Sequence, residues 1–189
     1  MIGSVILNLL ITLCAAASVA HELKQYGAGP VLRYFTVLSN LFCAVTALLV
    51  AVFRLFGEVP NSVLILKHIG TSAVAVTLLV VLVYLGPAVD NYFSMFYGSN
   101  LFLHLLCPLM AIVSRLLWDK PEGGFGIVLL GVLPVIVYGI FYMIKVLVVP
   151  EKKRWDDFYG FTRGGKWWLS FLLVALTGFV SSLVFWLAG

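Results

Sequence analysis

Six long apolar stretches, separated by short polar segments, take up nearly the whole chain. A helix that crosses a membrane needs about 20 mainly apolar residues, because it rises about 1.5 Å per residue across about 30 Å of hydrocarbon. The stretches cover residues 2–20, 34–56, 64–85, 100–118, 127–149 and 167–187. The pattern therefore predicts an all-α integral membrane protein, a bundle of six transmembrane helices that forms one transmembrane domain over residues 1–189.

Composition excludes an ordinary water-soluble domain. Of the 189 residues, 62% are hydrophobic and 11% are charged, whereas a soluble domain is about half apolar and about a quarter charged. The basic residues behind the net charge of +4 flank the spans and form no basic face, so we expect no nucleic-acid partner. Cys14, Cys43 and Cys107 lie in three different spans without a C-x-x-C pair, so we expect packing residues and no metal site.

The basic residues also indicate how the spans are oriented. Six spans place the first, third and fifth connections on one side of the membrane, and eight of the 12 Lys and Arg residues lie on that side. These are Lys24, Arg33, Lys145, Lys152, Lys153, Arg154, Arg163 and Lys166. By the positive-inside rule, this side faces the cytoplasm and both termini lie outside.

Two connections on that side are rich in aromatic residues. The third, residues 87–97, is too short to span, and its aromatic rings favour the headgroup level. It forms an interfacial segment or a partial lid, or else a plain aromatic belt. The fifth, residues 151–166, mixes basic, acidic and aromatic side chains, and a solvated cap that lies on the lipid headgroups explains this mixture.

Polar side chains at hydrocarbon depth are the main functional signal, since each destabilises the protein unless it faces a partner or a cavity. Spans two and four carry Thr36, Asn40, Asn100 and His104. Thr36 and His104 each lie about one helical turn, or about 5 Å, inside the same leaflet. Asn40 shares a helix face with Thr36, and Asn100 with His104, because each pair is four residues apart. We expect the four side chains to line one polar cavity.

Each of these residues also has a purely structural interpretation. Threonine in a membrane helix commonly bonds its hydroxyl to a carbonyl one turn earlier, and asparagine commonly joins helices. A packing histidine at position 104 would need partners for both ring nitrogens. The shared depth of Thr36 and His104 is what favours a functional pair.

Two further polar residues, Lys67 and His68, lie near the start of span three in the opposite leaflet. We expect Lys67 to extend to the headgroups, and neither side chain to join the cavity. His21 lies at the end of span one, on the Thr36 side. A bis-histidine haem between His21 and His104 is conceivable, but nothing else in the sequence supports it, so we expect no cofactor.

The segments around Thr36 and His104 resemble a known family. Residues 34–40 read Tyr-Phe-Thr-Val-Leu-Ser-Asn, and residues 104–109 read His-Leu-Leu-Cys-Pro-Leu. With these motifs the chain resembles the androgen-induced family of integral membrane threonine hydrolases, in which Tyr-x-Thr starts the second span and a His precedes a Pro on a later one. It looks like a bacterial branch, and the resemblance covers most of the chain. It implies a multi-span helical fold in a bacterial plasma membrane.

The resemblance also implies a function. Eukaryotic members hydrolyse fatty acid esters of hydroxy fatty acids, with the threonine as nucleophile and the histidine as its partner. By similarity these roles fall on Thr36 and His104, and the expected partner is a membrane lipid or acyl-ester substrate. An acyltransferase remains an alternative, because an acyl group on Thr36 can pass to an alcohol or amine instead of water. The second alternative is a lipid-binding or transport protein, which holds a lipid headgroup without catalysing a reaction.

Within the hydrolase hypothesis, neighbouring residues take supporting roles. Asn40 and Asn100 are expected to bind substrate. Asn100 is also expected to hold the His104 ring, and Asn40 or a backbone N–H to donate to the oxyanion. No carboxylate is expected at the depth of Thr36 to complete a triad. The nearest candidate is Asp90, which is part of the third connection. We therefore expect a dyad.

The distribution of basic residues predicts that residues 152–163 face the cytoplasm. Single cysteines at position 153 and near each terminus are tested with an impermeant maleimide on intact cells. We expect reaction near the termini and none at position 153. Labelling at position 153 but not near the termini would overturn the orientation.

Overall fold

The computed structural model describes residues 2–89 and 91–189, which form a bundle of six long helices. They are α1 (Ile2–Tyr26), α2 (Phe35–Phe56), α3 (Asn61–Ala88), α4 (Ser99–Leu117), α5 (Gly126–Val148) and α6 (Trp167–Leu187). Each helix is long and apolar enough to cross a membrane, and the described residues contain no strand. The protein is an all-α, multi-pass membrane protein, which confirms the prediction from the apolar pattern.

Two helices are longer than the apolar stretches that predict them. α1 continues past residue 20 to Tyr26, because a helix that leaves the lipid can continue through polar residues. It ends at Gly27, whose φ of 80° favours glycine. α3 begins at Asn61, directly after Pro60, and not at residue 64. Hydropathy indicates where the lipid begins, whereas glycine and proline set where the helix ends.

α3 is the central helix of the bundle. It packs against α2, α4, α5 and α6, and all of residues 70–78 are buried. Small side chains in this stretch let the neighbouring helices approach closely. A Cβ atom added at Gly70, for example, would lie 3.1 Å from the Cα atom of Cys43 on α2. On the flanks, α1 packs against α2 and α4, and α5 packs against α6.

Three helices contain a wide π turn, in which an N–H bonds the carbonyl five residues earlier. The turns are Val81–Leu85 in α3, Phe102–Leu106 in α4 and Ile144–Val148 in α5. Each ends two residues before a proline, namely Pro87, Pro108 and Pro150. Proline has no N–H for the carbonyl four residues earlier, and its ring crowds that carbonyl, so the preceding turn widens. All three turns lie at the end of the bundle that carries the first, third and fifth connections, which we call the cavity end.

The fifth connection folds back onto the bundle at the cavity end. Phe158 and Phe161 pack their rings against Tyr142 of α5, with centroid distances of 5.0 and 5.4 Å. Phe161 is only 7% exposed. A cap that merely lies on the lipid headgroups, as the sequence suggests, is therefore an incomplete description, because part of this segment belongs to the apolar core.

At the opposite end, Asp119 fastens the start of α1 to the end of α4. Its carboxylate accepts hydrogen bonds from Ser4 at 2.8 Å, from Asn8 at 2.7 Å and from Ser114. The guanidinium of Arg54 lies 3.6 Å away and supplies the opposite charge. A buried carboxylate needs such partners, because a desolvated charge without them is strongly destabilising.

Candidate functional site

A cavity of about 550 Å³ opens at the cavity end, between α1–α4 and the fifth connection. Its volume lies in the range of about 300–1,000 Å³ that is usual for small-molecule sites. Thr36, Asn100 and His104 line it, and its charged residues among those that the structure describes are Glu22 and Arg163. The rest of the lining comprises Tyr26, Pro30, Val31, Tyr34, Val37, Leu85, Ala88, Val89, Met95, Leu103, Phe158 and Tyr159. We call this cavity the vestibule.

His104 lies in the π turn that precedes Pro108. Its Nδ1 is 2.7 Å from the carbonyl oxygen of Met95, in the third connection. A carbonyl only accepts hydrogen bonds, so Nδ1 carries the proton and donates it, and Nε2 of the neutral ring keeps a free lone pair. Among the residues that the structure describes, nothing hydrogen-bonds Nε2. The imidazole is therefore oriented by one nitrogen and left basic at the other.

The same π turn leaves a carbonyl without its helical partner, and Asn40 compensates for it. The N–H of Cys107 bonds the carbonyl of Phe102 and so does not reach that of Leu103. Nδ2 of Asn40 donates to the Leu103 carbonyl at 2.9 Å and to the Thr36 carbonyl at 2.8 Å. The Asn40 side chain is fully buried. One amide thus fixes the spacing between α2 and α4 beside both candidate catalytic residues.

Thr36 differs from other threonines of the bundle. The hydroxyls of Thr12, Thr46 and Thr177 each donate to a carbonyl three or four residues earlier. Thr36 lies in the first turn of α2, so the residues one turn before it are outside the helix. Over the described ranges, its hydroxyl donates to no carbonyl and forms no hydrogen bond with His104. The vestibule is therefore the space in which a substrate would meet both residues.

Tyr159 of the fifth connection adds a third functional group. Its hydroxyl accepts a hydrogen bond from the Phe35 N–H at 2.8 Å and lies beside Thr36. Burial raises the pKa of Tyr159 to about 12, although the hydrogen bonds that it accepts lower it. The phenol stays protonated at neutral pH and retains its own proton to donate. In the sequence it is one of several aromatic residues in the segment interpreted as a cap, and no motif sets it apart.

Asp157 holds the fifth connection in this position. Its carboxylate accepts hydrogen bonds of 2.6–2.9 Å from the Phe161 N–H, from the N–H and hydroxyl of Thr162, and from the Tyr142 hydroxyl. The Tyr142 hydroxyl in turn accepts from the Tyr159 N–H at 3.1 Å. Burial alone would raise the pKa of Asp157, but the hydrogen bonds outweigh burial and hold the pKa below its usual range. The position of Tyr159 thus depends on an ionised Asp157.

Three of the four residues predicted for the site line the vestibule, and Asn40 does not. Asn40 lies beneath the lining, because its amide is used by the two carbonyls that it joins. Asn100 lines the cavity, but the Met95 carbonyl and not Asn100 holds the His104 ring. Met95 itself contributes to the lining, so the third connection forms part of the vestibule wall.

Two other candidates from the sequence do not add to this site as the structure describes it. His21 is exposed near the end of α1 and does not line the vestibule. Asp90, considered for a triad, lies outside the described residues.

A second polar cluster, in the opposite half of the bundle, is larger than the sequence indicates. Arg115 Nε donates to Nδ1 of His68 at 3.3 Å, and His68 Nε2 lies 2.9 Å from the Ser182 hydroxyl. Ser182 donates to the Val128 carbonyl at 3.0 Å, so its oxygen is left to accept from His68. Lys67 is fully buried, and the expectation that it extends to the headgroups is wrong, because it lies on the central helix. None of these residues lines the vestibule.

Comparisons of the chain with protein-family models, with curated proteins and with solved structures found no match. Within residues 2–89 and 91–189, no group of three or more His, Cys, Asp or Glu side chains could hold a metal ion. The vestibule offers instead a hydroxyl, an imidazole with a free nitrogen, and a protonated phenol. These groups are the chemistry from which its function is inferred.

Asp157→Asn should loosen the fifth connection, because a neutral amide accepts hydrogen bonds less strongly than a carboxylate. In limited digestion with trypsin in detergent, we expect faster cleavage within residues 152–163 than in the parent. Asp156→Asn is the matched control, since the neighbouring carboxylate is exposed and accepts no hydrogen bond in the described part of the chain. Equal cleavage rates in the two variants would show that Asp157 has no special role.

Proposed function

We propose that the protein is a membrane lipid-ester hydrolase in which Thr36 is the nucleophile and His104 the general base. The observation that carries this proposal is the vestibule, which is lined by the Thr36 hydroxyl and the His104 imidazole. Within residues 2–89 and 91–189, the hydroxyl has no helical acceptor and Nε2 of the imidazole has no hydrogen-bond partner. A threonine hydroxyl is a weak nucleophile at neutral pH and needs a base to take its proton. That base must come within hydrogen-bond distance of the hydroxyl, at the latest when substrate is bound. His104 supplies that base at the same end of the bundle.

The reaction proceeds through an acyl-enzyme. Oγ1 of Thr36 attacks the ester carbonyl carbon while Nε2 of His104 takes the hydroxyl proton. The tetrahedral intermediate collapses, the C–O bond to the alcohol breaks, and His104 returns the proton to the departing alkoxide. Water, deprotonated by the same nitrogen, then attacks the acyl carbon. The bond from that carbon to Oγ1 of Thr36 breaks, His104 returns the proton to Oγ1, and the fatty acid leaves. The Met95 carbonyl stabilises the imidazolium that forms twice in this cycle, since it accepts from Nδ1.

Tyr159 is the proposed donor to the oxyanion. A protonated phenol beside Thr36 can donate to the negative oxygen that develops on the substrate carbonyl. The Phe35 N–H, which already bonds the phenol oxygen, polarises it and strengthens this donation. Tyr159 takes this role in place of Asn40, because the Asn40 amide already donates to two backbone carbonyls.

We also propose a relationship and a location for the protein. The Tyr-x-Thr start of α2 and the His104 and Pro108 pair support membership of the androgen-induced family of membrane threonine hydrolases, in a bacterial branch. The resemblance supports a location in a plasma membrane, and the excess of basic residues at the cavity end supports an orientation in which this end faces the cytoplasm and both termini lie outside. An ester from the cytoplasmic leaflet would then reach the vestibule.

Hydrolysis of a fluorogenic medium-chain ester by the purified protein tests the dyad. Thr36→Ala should reduce turnover to background, and Thr36→Ser should keep part of it because it keeps a hydroxyl. His104→Ala should lower kcat by about 100- to 10,000-fold, the usual contribution of a general base. Losses in the double alanine variant should be far from additive, because the two residues act as one unit.

Two matched controls accompany this series. His21→Ala removes an exposed imidazole that does not line the vestibule and should leave turnover unchanged. Tyr159→Phe should lower kcat by about 100-fold or more, whereas Tyr34→Phe, at another vestibule tyrosine, should have little effect. Turnover like that of the parent in folded Thr36→Ala would disprove the nucleophile. If the parent binds lipid but cleaves no ester, a lipid-binding function replaces the hydrolase.

A further inference from the structure

A narrow apolar slot of about 40 Å³ begins beside Thr36 and leads away from the vestibule. Thr36, Leu85 and Tyr159 line both spaces, so the slot opens where the proposed chemistry takes place. Its other walls are mainly β-branched and aromatic side chains, namely Phe35, Val76, Thr77, Val80, Val81, Val135, Tyr138, Phe161, Phe171 and Val174, with Gly139. Valine has few rotamers, so these walls are stiff and the slot has a defined width.

The slot continues into a larger groove on the surface of the bundle. This α3–α6 groove, of about 400 Å³, shares Val80, Phe161 and Val174 with the slot. Beyond them it is lined by Leu79, Val83, Tyr84, Ser170, Leu173, Leu176 and Thr177. Val83 is 75% exposed and Leu173 and Leu176 are each 56% exposed on helices that cross the membrane, so the outer groove faces lipid.

A second surface groove, between α2 and α5, is less well connected to Thr36. This α2–α5 groove, of about 450 Å³, shares only Phe35 and Tyr138 with the slot. Their rings pack on one another with centroids 5.1 Å apart, and the Tyr138 hydroxyl donates to the Arg33 carbonyl at 2.6 Å. Two packed rings, one of them held by a hydrogen bond, close this route more firmly than two valines and the single ring of Phe161 close the other.

We propose that the slot and the α3–α6 groove form the binding site for the acyl chain of the substrate. The chain enters sideways from the bilayer, its carbonyl carbon stops at Thr36, and the polar part of the ester lies in the vestibule near Glu22 and Arg163. This site rests on the proposed hydrolase function. Because the slot is narrow and its walls are stiff, it selects long, unbranched chains, and Val174 sets its width.

Val174→Phe tests the site by filling the junction between slot and groove. Hydrolysis of hexadecanoyl esters should fall by about tenfold or more relative to butanoyl esters, whose chains end before the obstruction. Val180→Phe is the matched control on the same helix, since Val180 is 47% exposed and lines neither space. Val137→Phe places the same ring in the α2–α5 groove and should also leave the chain-length preference unchanged.

Val174→Ala tests the proposal in the opposite direction and is expected to fold as the parent does. The wider slot should accept hexadecanoyl esters with a methyl branch, so their hydrolysis should rise relative to that of straight chains. No change in this ratio, together with an unchanged chain-length preference in Val174→Phe, would overturn the proposal. The proposal would also be overturned if Val137→Phe changed the chain-length preference and Val174→Phe did not.

A binding measurement separates the acyl site from the hydrolase function. A non-hydrolysable hexadecyl ether with a diazirine next to its polar end should label residues 34–40 in the parent. Labelling should fall in Val174→Phe and persist in Val180→Phe. If the parent cleaves no ester but labelling follows this pattern, the acyl site stands and the hydrolase function fails. Equal labelling in the two variants would contradict the acyl site, whatever the activity of the parent.

Discussion

The two hydrogen bonds from the Asn40 amide to the Thr36 and Leu103 carbonyls are the contact on which the site depends. Their origin is local: Pro108 has no N–H, the turn before it widens, and the Leu103 carbonyl loses its helical partner. In hydrocarbon an unsatisfied carbonyl destabilises a protein by several kcal/mol, which is a large fraction of the net stability of a folded protein. The Asn40 amide satisfies this carbonyl and thereby fixes α2 against α4.

The fully buried His68 and the half-buried His104 show the difference between a structural and an available imidazole. His68 has both ring nitrogens in hydrogen bonds, to Arg115 and Ser182, and joins the helices around the central α3. His104 has one nitrogen held by the Met95 carbonyl and, over the described ranges, the other free at a cavity. The same residue type therefore joins helices in one half of the bundle and lines a cavity in the other.

Much of the fold and part of the site follow from sequence for simple reasons. Because a helix rises by a fixed distance per residue, the number of residues from the start of a helix gives the depth of a side chain in the membrane. On this basis Thr36, Asn100 and His104 were predicted to line one cavity, and they do line it. Depth does not say which helix is central, so the burial of Lys67 was missed. Tyr159 was also missed, because its place depends on contacts of Asp157 and Tyr142 that have no periodic pattern. Asn40 was predicted to line the cavity but lies beneath its lining, since its amide satisfies a carbonyl that is freed only by the π turn before Pro108.

Peptide mass spectrometry after a brief, acid-quenched reaction with 4-nitrophenyl octanoate tests the nucleophile most directly. We expect an octanoyl group on Thr36, absent from Thr36→Ala and much reduced in His104→Ala. An octanoyl group on another residue, or an unmodified Thr36 while the quenched protein was still turning over ester, would contradict a threonine nucleophile at the vestibule.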